Sequence, residues 1–296
     1  MSIYNLNMIG IDKLNYAQRQ RLQFIESVAY WEGLVGRPRV SDVFNVSENH
    51  ITRDFTLYRK TFPGNLDYDV SVRAYRPGKG FRPRIGSGSP EEYLSLLRAY
   101  LETRSVAVLP SIGHGVGAVC LPPPTAPLDK SVLREITRAL HQKHGVKIHY
   151  QSLTSSEAAV REIWPHALVF AGVRWHVRAF DTKRESFTDF VLPRMLSAAA
   201  IDTPCPVSAE TDHDWKETID VDVTPVSMLN ADQQAVIAKE YGMALIDGKW
   251  IWRVPLKRCL VPYFLKWLRL DLPENKSYPV MLVDAELPRM FRFGDA

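Results

Sequence analysis

Alternating arginine and histidine residues between positions 146 and 194 are the side chains of this sequence best suited to binding an anion. Successive side chains of a strand point to opposite faces, so Arg174, His176 and Arg178 share one face of the run 174–181. Guanidinium and imidazole groups that converge on one side suit a phosphate or carboxylate ligand. A solvated strand face that is basic by chance is the alternative. Neighbouring strand-like runs supply the further donors Arg161, His166 and Arg194.

A second set of polar residues could contact a larger anion, duplex DNA. Ser47 followed by Glu48 is typical of a helix start, and Pro63-Gly64 marks its end. A shorter helix is predicted at 39–45, and two helices joined by a tight turn indicate a helix-turn-helix. The longer helix buries the stripe Ile51, Phe55, Tyr58 and Phe62. Its other face offers residue types that read base edges or hold phosphates, namely Asn49, His50, Thr52, Arg53 and Thr56.

A basic hairpin is expected directly after these helices. The run 66–72 alternates like a strand, and a turn is predicted at Pro77-Gly78. Its cations would meet the DNA backbone as the wing of a winged helix-turn-helix, although a charge run is often only a solvated loop. The complete predicted DNA-contact set is Arg39, Ser47, Asn49, His50, Thr52, Arg53, Thr56, Arg73, Arg76, Lys79 and Arg82.

Charge is distributed unevenly along the 296 residues. The net charge is +5 over residues 1–86 and +4 over 129–200, but −1 over 87–128 and −4 over 201–296. Two basic segments and one acidic segment indicate separate tasks, with phosphate contacts in the first and middle parts. Three scattered cysteines form neither a disulfide framework nor a metal-ligand pattern, so we expect no metal and no cofactor. Without a membrane span or leader, we expect a cytoplasmic, nucleoid-associated protein.

Other elements are predicted from apolar periodicity and capping residues. A strand is expected at 106–109, and a helix at 129–144 begins after Asp129. The segment after Pro206 should be an α+β module whose aromatic residues fill their own core or bury against a second subunit. Further helices are expected at 15–33, 91–103, 230–239 and 256–268, and further strands at 215–223 and 248–254.

The stretch around Trp175-His176-Val177 resembles the WYL domain family. The upstream 148–150 run, the Arg161–His166 run and the closing 190–194 run follow the order of that family, but only Trp175 of the literal signature is retained and His176 stands where the family has Tyr. The resemblance implies a small Sm-like or SH3-like β-barrel that senses nucleotide-like ligands. By position, it implies the ligand contacts Tyr150, Ser152, Arg161, His166, Trp175, His176, Arg178 and Arg194.

The whole chain resembles the BrxR/CapW-type transcription regulators, which are associated with bacterial anti-phage defence loci. The resemblance implies an α+β multidomain protein: a winged helix-turn-helix at 1–86, a linker with a helix and a short strand at 87–128, the WYL barrel at 129–203 and a dimerising C-terminal extension at 204–296. It implies a non-enzymatic repressor that binds an inverted repeat of double-stranded DNA as a homodimer and is released by a nucleotide or oligonucleotide.

Two other functions stay open at this point. An activator of the same architecture is one, since the sign of regulation belongs to the promoter. A metal-dependent enzyme acting on nucleic acid is the other. Its metal ligands would be Asp181, Asp189 and the Asp212-His213-Asp214 cluster, which match no recognised metal-binding motif.

Overall fold

The computed structural model describes residues 14–113, 117–122, 128–272 and 277–291, and the chain divides into two compact units, Met1–Pro122 and Pro123–Ala296. Both units combine helices with antiparallel sheets, which confirms the predicted α+β class. Parts of the linker expected at 87–128, namely residues 114–116 and 123–127, lie outside the described residues. Over the described ranges, no helix has the length and apolar character needed to cross a membrane.

The first unit is a helical cluster with a two-stranded hairpin. Its core contains Phe24 and Ile25 of the first helix, Val40 of the second and Phe55 of the third. The elements are α1 (Tyr16–Glu32), α2 (Arg37–Phe44), α3 (Glu48–Thr61), β1 (Leu66–Asp69), β2 (Ala74–Pro77), α4 (Pro90–Thr103), a 3₁₀ turn (Val106–Val108) and α5 (Leu109–Ile112).

Helix α3 forms as its sequence predicts. The Ser47 side chain caps it by accepting a hydrogen bond from the His50 N–H. The predicted stripe faces the core, since Ile51, Phe55 and Tyr58 are fully buried. Removing an aromatic side chain such as Phe55 from a core of this kind typically costs about 3–5 kcal/mol.

Two local predictions for the first unit are wrong. Residues 106–109 form a 3₁₀ turn and the start of α5 rather than a strand, because Ser105 caps the turn and Pro110 favours a first helical turn. The hairpin turns at 70–73, not at Pro77-Gly78. Asp69 stabilises that turn by accepting from the Ser71 N–H, and Arg73 takes the left-handed conformation, with φ +53°.

The second unit begins with α6 (Lys130–Gln142), capped by Asp129 as predicted. Helix α6 packs with Val132, Ile136 and Ala139 against the apolar face of an antiparallel sheet. The sheet has the order β6-β5-β4-β3-β7. Its strands are β3 (Gly145–Tyr150), β4 (Ala159–Phe170), β5 (Trp175–Asp181), β6 (Ser186–Val191) and β7 (Met195–Ile201), with a 3₁₀ turn at Leu192–Arg194.

The five-stranded sheet has two irregularities and two edges. The β4–β5 register shifts between Pro165 and Ala167, so that His166 has no partner across the ladder. The β3–β7 register shifts between His149 and Tyr150. Strands β6 and β7 end the observed strand order, so closure into a barrel stays a prediction.

The C-terminal part of the second unit contains a four-stranded sheet of order β11-β8-β10-β9. Its elements are a 3₁₀ turn (Ala209–Thr211), α7 (His213–Lys216), β8 (Thr218–Pro225), α8 (Ala231–Glu240), β9 (Ala244–Ile246), β10 (Lys249–Lys257), a 3₁₀ turn (Arg258–Leu260), α9 (Val261–Trp267), β11 (Val280–Leu282) and α10 (Leu287–Met290). Helix α8 carries the predicted Asn230 cap, completed by Gln233 into a capping box.

Two predictions for this region need correction. The strand expected from Trp215 begins at Thr218, because Asp212 caps the single turn of α7 through the Trp215 N–H. The helix expected at 256–268 is shorter, because residues up to Lys257 still pair with β8. Pro262 then occupies the first turn of α9, where its missing N–H does no harm.

Candidate DNA-binding and effector-binding sites

Helix α3 presents a polar face that the core does not use. Asn49, His50, Arg53 and Thr56 are exposed, and Thr52 is half-buried. The hydroxyls of Thr52 and Thr56 donate to backbone carbonyls one turn earlier, so each is oriented by its own helix. This face combines a guanidinium, an amide, an imidazole and two oriented hydroxyls, which are groups that contact bases and phosphates.

A buried ion pair fixes this helix against α1. The Arg21 Nε donates to the Asp54 Oδ2 over 2.6 Å, and both side chains are almost fully buried. The Arg21 Nη2 also lies 2.9 Å from the His50 Nε2. Because a guanidinium can only donate, the His50 Nε2 must accept, which leaves the Nδ1–H as the donor on the other side of the ring. Arg21 therefore orients an exposed imidazole of α3 from within the core.

The cations predicted for the wing differ in how far they are neutralised. Arg73, Arg76, Lys79 and Arg82 are all exposed. Arg76 donates to the Asp69 Oδ2 over 2.8 Å within the same hairpin. Arg39, also predicted to meet DNA, is held by both carboxylate oxygens of Glu32 on α1. Arg39 and Arg76 therefore have local counter-ions that a phosphate would have to displace.

Buried polar groups tie the basic segment after β2 to the helices. Glu26 accepts hydrogen bonds from the Tyr58 hydroxyl and from three successive backbone N–H groups at 84–86. Asn65 bonds both backbone groups of Arg82 and donates to the Tyr58 hydroxyl. Burial, followed by the charge of Glu26, raises the pKa of Tyr58, so this hydroxyl stays a donor. The segment is thus fastened to α1 and α3.

The second unit contains a cavity of about 540 Å³ between the five-stranded sheet and α9. Five residues expected at the ligand site line it: Tyr150, Ser152, Arg161, His176 and Arg194. The cavity is also lined by residues of the β4–β5 and β5–β6 turns, including Arg174 and Arg184, and by Tyr263, Lys266 and Trp267 of α9.

The arginines around the cavity fall into two groups. Arg161 is paired with the fully buried Asp181, at 3.2 Å. Arg174, Arg184 and Arg194 form no ion pair with an acidic side chain in the part of the chain that the structure describes. Those three guanidinium groups give the cavity an uncompensated positive charge, which suits an anionic ligand.

The structure places the other three expected contacts elsewhere. Arg178 is buried and forms two 2.8 Å bonds with Asp212, besides a 3.3 Å contact with Asp189. His166 contacts the same Asp212 at 3.0 Å. Trp175 is half-exposed and packs against Phe170. None of His166, Trp175 and Arg178 belongs to the cavity lining, so the effector site proposed below omits them.

Electrostatics explain why this cluster stays charged inside the protein. Burial alone would lower the pKa of Arg178, but Asp212 and Asp189 raise it overall. Burial alone would raise the pKa of Asp212, but the bonds and charge of Arg178 lower it overall. A desolvated pair with this geometry is costly to break, because removing either partner leaves the other one charged and buried without a counter-ion.

His176 forms the floor of the cavity next to α9. Its ring is buried and packs against the Tyr263 ring, with centroids 4.9 Å apart. Burial, followed by the charge of Arg174, lowers the pKa of His176 to about 4, so the imidazole is neutral near pH 7. A backbone contact with Arg174 opposes that shift, yet among the described residues no group completes a hydrogen bond to the buried Nδ1. A buried polar atom of this kind costs about 1–3 kcal/mol unless it finds a partner.

The carboxylates considered for metal binding are engaged by cations instead. Asp181 pairs with Arg161, whereas Asp189 and Asp212 pair with Arg178. No group of three or more His, Cys, Asp or Glu side chains able to hold a metal ion occurs within the described ranges. Of the predicted basic face, Arg178 therefore belongs to an internal salt-bridge cluster, whereas Arg174 and His176 line the cavity. Asp212 is the residue whose role the sequence did not reveal.

Comparison with known proteins assigns all three parts of the chain. Residues 17–99 match the BrxR transcriptional regulator winged helix-turn-helix domain, 131–200 match the WYL domain, and 218–287 match the BrxR C-terminal dimerization domain. The chain is 32% identical over 282 residues to the DNA-binding transcriptional repressor CapW of Pseudomonas aeruginosa, covering 92% of this chain and 90% of that protein.

Other CapW repressors give similar values. The protein of Escherichia coli strain KTE188 is 32% identical over 91% of this chain and 88% of its own length, and that of Stenotrophomonas maltophilia is 28% identical over 88% and 86%. Among solved structures, proteasome accessory factor B/C of Arthrobacter aurescens aligns with a TM-score of 0.31 and 19% identity, over 92% of this chain and 45% of that chain.

Proposed function

Because this chain belongs to the BrxR/CapW family of DNA-binding transcriptional regulators, we propose that it is a repressor that binds an inverted-repeat DNA site as a homodimer and is released by an anionic nucleotide or oligonucleotide. It is a regulator rather than an enzyme, since its relatives are named as repressors. Repression is favoured over activation on the same ground. The resemblance supports an anti-phage defence locus as its target. We place the protein in the cytoplasm, associated with the nucleoid.

The observation that carries the DNA-binding proposal is the exposed polar face of α3, fixed from behind by the Arg21–Asp54 pair. We propose Asn49, His50 and Arg53 as base or phosphate contacts, with Thr52 and Thr56 beside them. Ser47, as the cap, presents the first amides of α3 to a phosphate. The exposed cations Arg73, Lys79 and Arg82 would bind the DNA backbone. Arg39 and Arg76 would contribute less, because each already has an acidic partner.

The match of residues 218–287 to a dimerization domain supports the proposed homodimer. A two-fold symmetric protein recognises two half-sites related by the same symmetry, so an inverted repeat is the expected operator. Two short recognition helices, one from each subunit, would together supply the affinity and the register that one alone lacks.

The effector proposal rests on the positive charge of the cavity. Arg174, Arg184 and Arg194 would hold phosphates together with Arg161, while Tyr150, Ser152 and the unsatisfied Nδ1 of His176 would contact the base or sugar. Such a ligand releases DNA only if it binds the DNA-free state more tightly than the DNA-bound state.

The DNA proposal can be tested by fluorescence anisotropy on a labelled duplex taken from just upstream of the gene, over a salt series. We expect Arg53→Ala to weaken binding about tenfold or more and to reduce the salt slope by about one. Arg98→Ala is the matched control, since Arg98 lies on α4, is exposed and pairs with Glu102 on the same helix. Unchanged affinity and slope for Arg53→Ala would contradict the proposed DNA face.

The effector proposal needs a second titration. A 5′-phosphorylated tetranucleotide of single-stranded DNA, added to the protein–duplex complex, should lower the anisotropy, and adenosine monophosphate tests whether one nucleotide is enough. Arg194→Ala should require a higher concentration of either probe. If neither probe binds the wild-type protein, the proposed effector class is wrong.

A further inference from the structure

The cavity has two walls that come from different domains. One wall is the five-stranded sheet with its turns, called the WYL sheet here because residues 131–200 match the WYL domain. The other wall is α9, within the region that matches the dimerization domain. The wall residues Tyr263, Lys266 and Trp267 are spaced by three and four, so they share one face of this helix. The opposite face carries Val261, Phe264 and Leu265, which are buried in the C-terminal core. Helix α9 is therefore a core element of the C-terminal domain that turns one face to the cavity.

Specific contacts hold this helix face against the sheet. The Tyr263 ring packs on His176, and its hydroxyl donates to the Asp189 Oδ2 over 3.2 Å. Asp189 in turn lies 3.3 Å from the Arg178 Nη1. Both distances are longer than those of the neighbouring Arg178–Asp212 bonds. The contact between the sheet and α9 thus includes the Tyr263–Asp189 hydrogen bond, which is longer than the neighbouring bonds within the salt-bridge cluster.

Trp267 lies over the β4–β5 turn at the rim of the cavity. Its indole is 60% exposed, although it covers Gly172 closely enough that a Cβ there would lie 3.1 Å from the Trp267 Cδ1. Gly172 also has φ +77°, a conformation that favours glycine. A large aromatic face that stays half-exposed in a cavity that Arg174 also lines has the form of a stacking platform near a cation able to bind phosphate.

From this arrangement we propose that the effector is held between the two domains: Trp267 stacks on a base and Lys266 contacts a phosphate, while the arginines of the WYL sheet hold the rest of the ligand. This inference rests on the proposed function, since it concerns the same nucleotide or oligonucleotide. It replaces Trp175, the indole expected from the sequence, with an indole of the dimerization domain.

Direct contact with α9 has a consequence for regulation. A ligand that touches both walls changes the free energy of their packing by the difference in its affinity for the packed and displaced arrangements. The same coupling acts in reverse, so a shift in the packing of α9 against the sheet must alter ligand affinity by the same factor. No relay of side chains between the cavity and the dimerization domain is then required.

The test compares two tryptophans in the full-length protein. Binding of a fluorescein-labelled, 5′-phosphorylated tetranucleotide and of adenosine monophosphate is measured by anisotropy and by calorimetry. We expect Trp267→Ala to weaken binding of the tetranucleotide about tenfold, and Trp267→Phe to restore most of the affinity. Trp175→Ala should leave binding unchanged. Lys266→Ala should weaken binding and reduce its salt dependence, whereas Lys239→Ala on α8 should do neither.

The outcomes separate this inference from the proposed function. If the wild-type protein binds neither probe, the effector proposal fails and the two-walled site fails with it. If the wild type binds but Trp267→Ala and Lys266→Ala bind equally well, only the role of α9 is overturned. Stronger weakening by Trp175→Ala than by Trp267→Ala would also overturn it. Circular dichroism melting checks folding, and the exposure of Trp267 leads us to expect folded variants.

Discussion

The region of helix α3 and the cavity of the WYL sheet differ in where their paired and unpaired arginines lie. Arg53 on α3, a proposed DNA contact, is exposed, whereas Arg21 on α1 pairs with Asp54 and fixes the position of α3. Around the cavity, unpaired arginines occupy the turns, whereas Arg161 and Arg178 on the strands have buried carboxylate partners. In both regions the arginines within regular elements and close to a carboxylate support the structure, and those without one are available to a ligand.

The largest expected effect is on stability. If it is not observed, the distinction between structural and ligand-binding arginines is wrong. Arg21→Met and Arg178→Met each leave a buried aspartate without its main partner, so each should lower the free energy of unfolding by about 3–5 kcal/mol. The measurement is urea denaturation followed by circular dichroism. Arg174→Met, four positions before Arg178 but exposed in the β4–β5 turn, should stay within about 0.5 kcal/mol of wild type.

The double variant Arg21→Met/Asp54→Leu sharpens the same point. Because it removes both charges of a buried pair, it should recover much of the loss caused by Arg21→Met. Equal losses for Arg21→Met, Arg178→Met and Arg174→Met would mean that burial and pairing do not distinguish these arginines.

A smaller effect is expected from pH. The pKa of His176 is about 4 in the folded protein, against about 6.5 when unfolded. Between these values the unfolded chain binds a proton that the folded protein does not, so the free energy of unfolding falls as pH drops from 6.5 to 4. Above pH 7 this group adds no pH dependence. The charges of Arg174 and Arg194 act in the same direction as burial, whereas Tyr263, which also faces the ring, is neutral here.

His176→Phe should remove this component. Its difference from wild type in the free energy of unfolding should change by at most about 3 kcal/mol between pH 7 and pH 4. His166, whose pKa burial also lowers, remains as a background in both proteins. Parallel stability curves for wild type and variant would show that His176 is not held neutral by the fold.

The smallest effect concerns Arg76, the paired cation of the proposed DNA face. Asp69 neutralises Arg76, and hydrogen bonds from Ser71 and Arg76 lower its pKa to about 2, so it is ionised in any binding assay. Asp69→Asn removes the charge but keeps an acceptor for the turn. We expect it to tighten duplex binding about twofold to fivefold at low salt, an effect that should vanish at high salt. Weaker binding would indicate that Asp69 is needed to orient Arg76.

Local signals in the sequence were sufficient for the recognition helix. The cap at Ser47 and the stripe from Ile51 to Phe62 are both set by residues within one helix, and the structure reproduces them. The hairpin turn was misplaced because Pro77-Gly78 is a stronger turn signal than Ser71-Val72. Gly78 is instead required by a close approach to the Gly64 backbone, which no pattern near Pro77 records.

The proposed effector site was harder to predict because the residues that meet there are distant in sequence. Strand alternation correctly placed His176 and Arg178 on one face, but it could not show that Asp212, thirty-four positions beyond Arg178, would neutralise it. The exposed aromatics of α9 were visible in the sequence, yet only tertiary packing brings Trp267 next to Gly172. The proposed ligand contacts therefore differ most from those expected from the sequence where the WYL sheet meets α9.

The carboxylate of Glu26 has a mechanical consequence. It holds the amides that follow the wing and the hydroxyl of Tyr58 on α3 at the same time. Helix α3 and the segment 84–86 cannot move independently, because a hinge between them would remove hydrogen-bond donors from the buried carboxylate of Glu26. In the proposed dimer, each winged-helix domain would therefore move as one rigid body, so the proposed effector would act on the distance between the two domains.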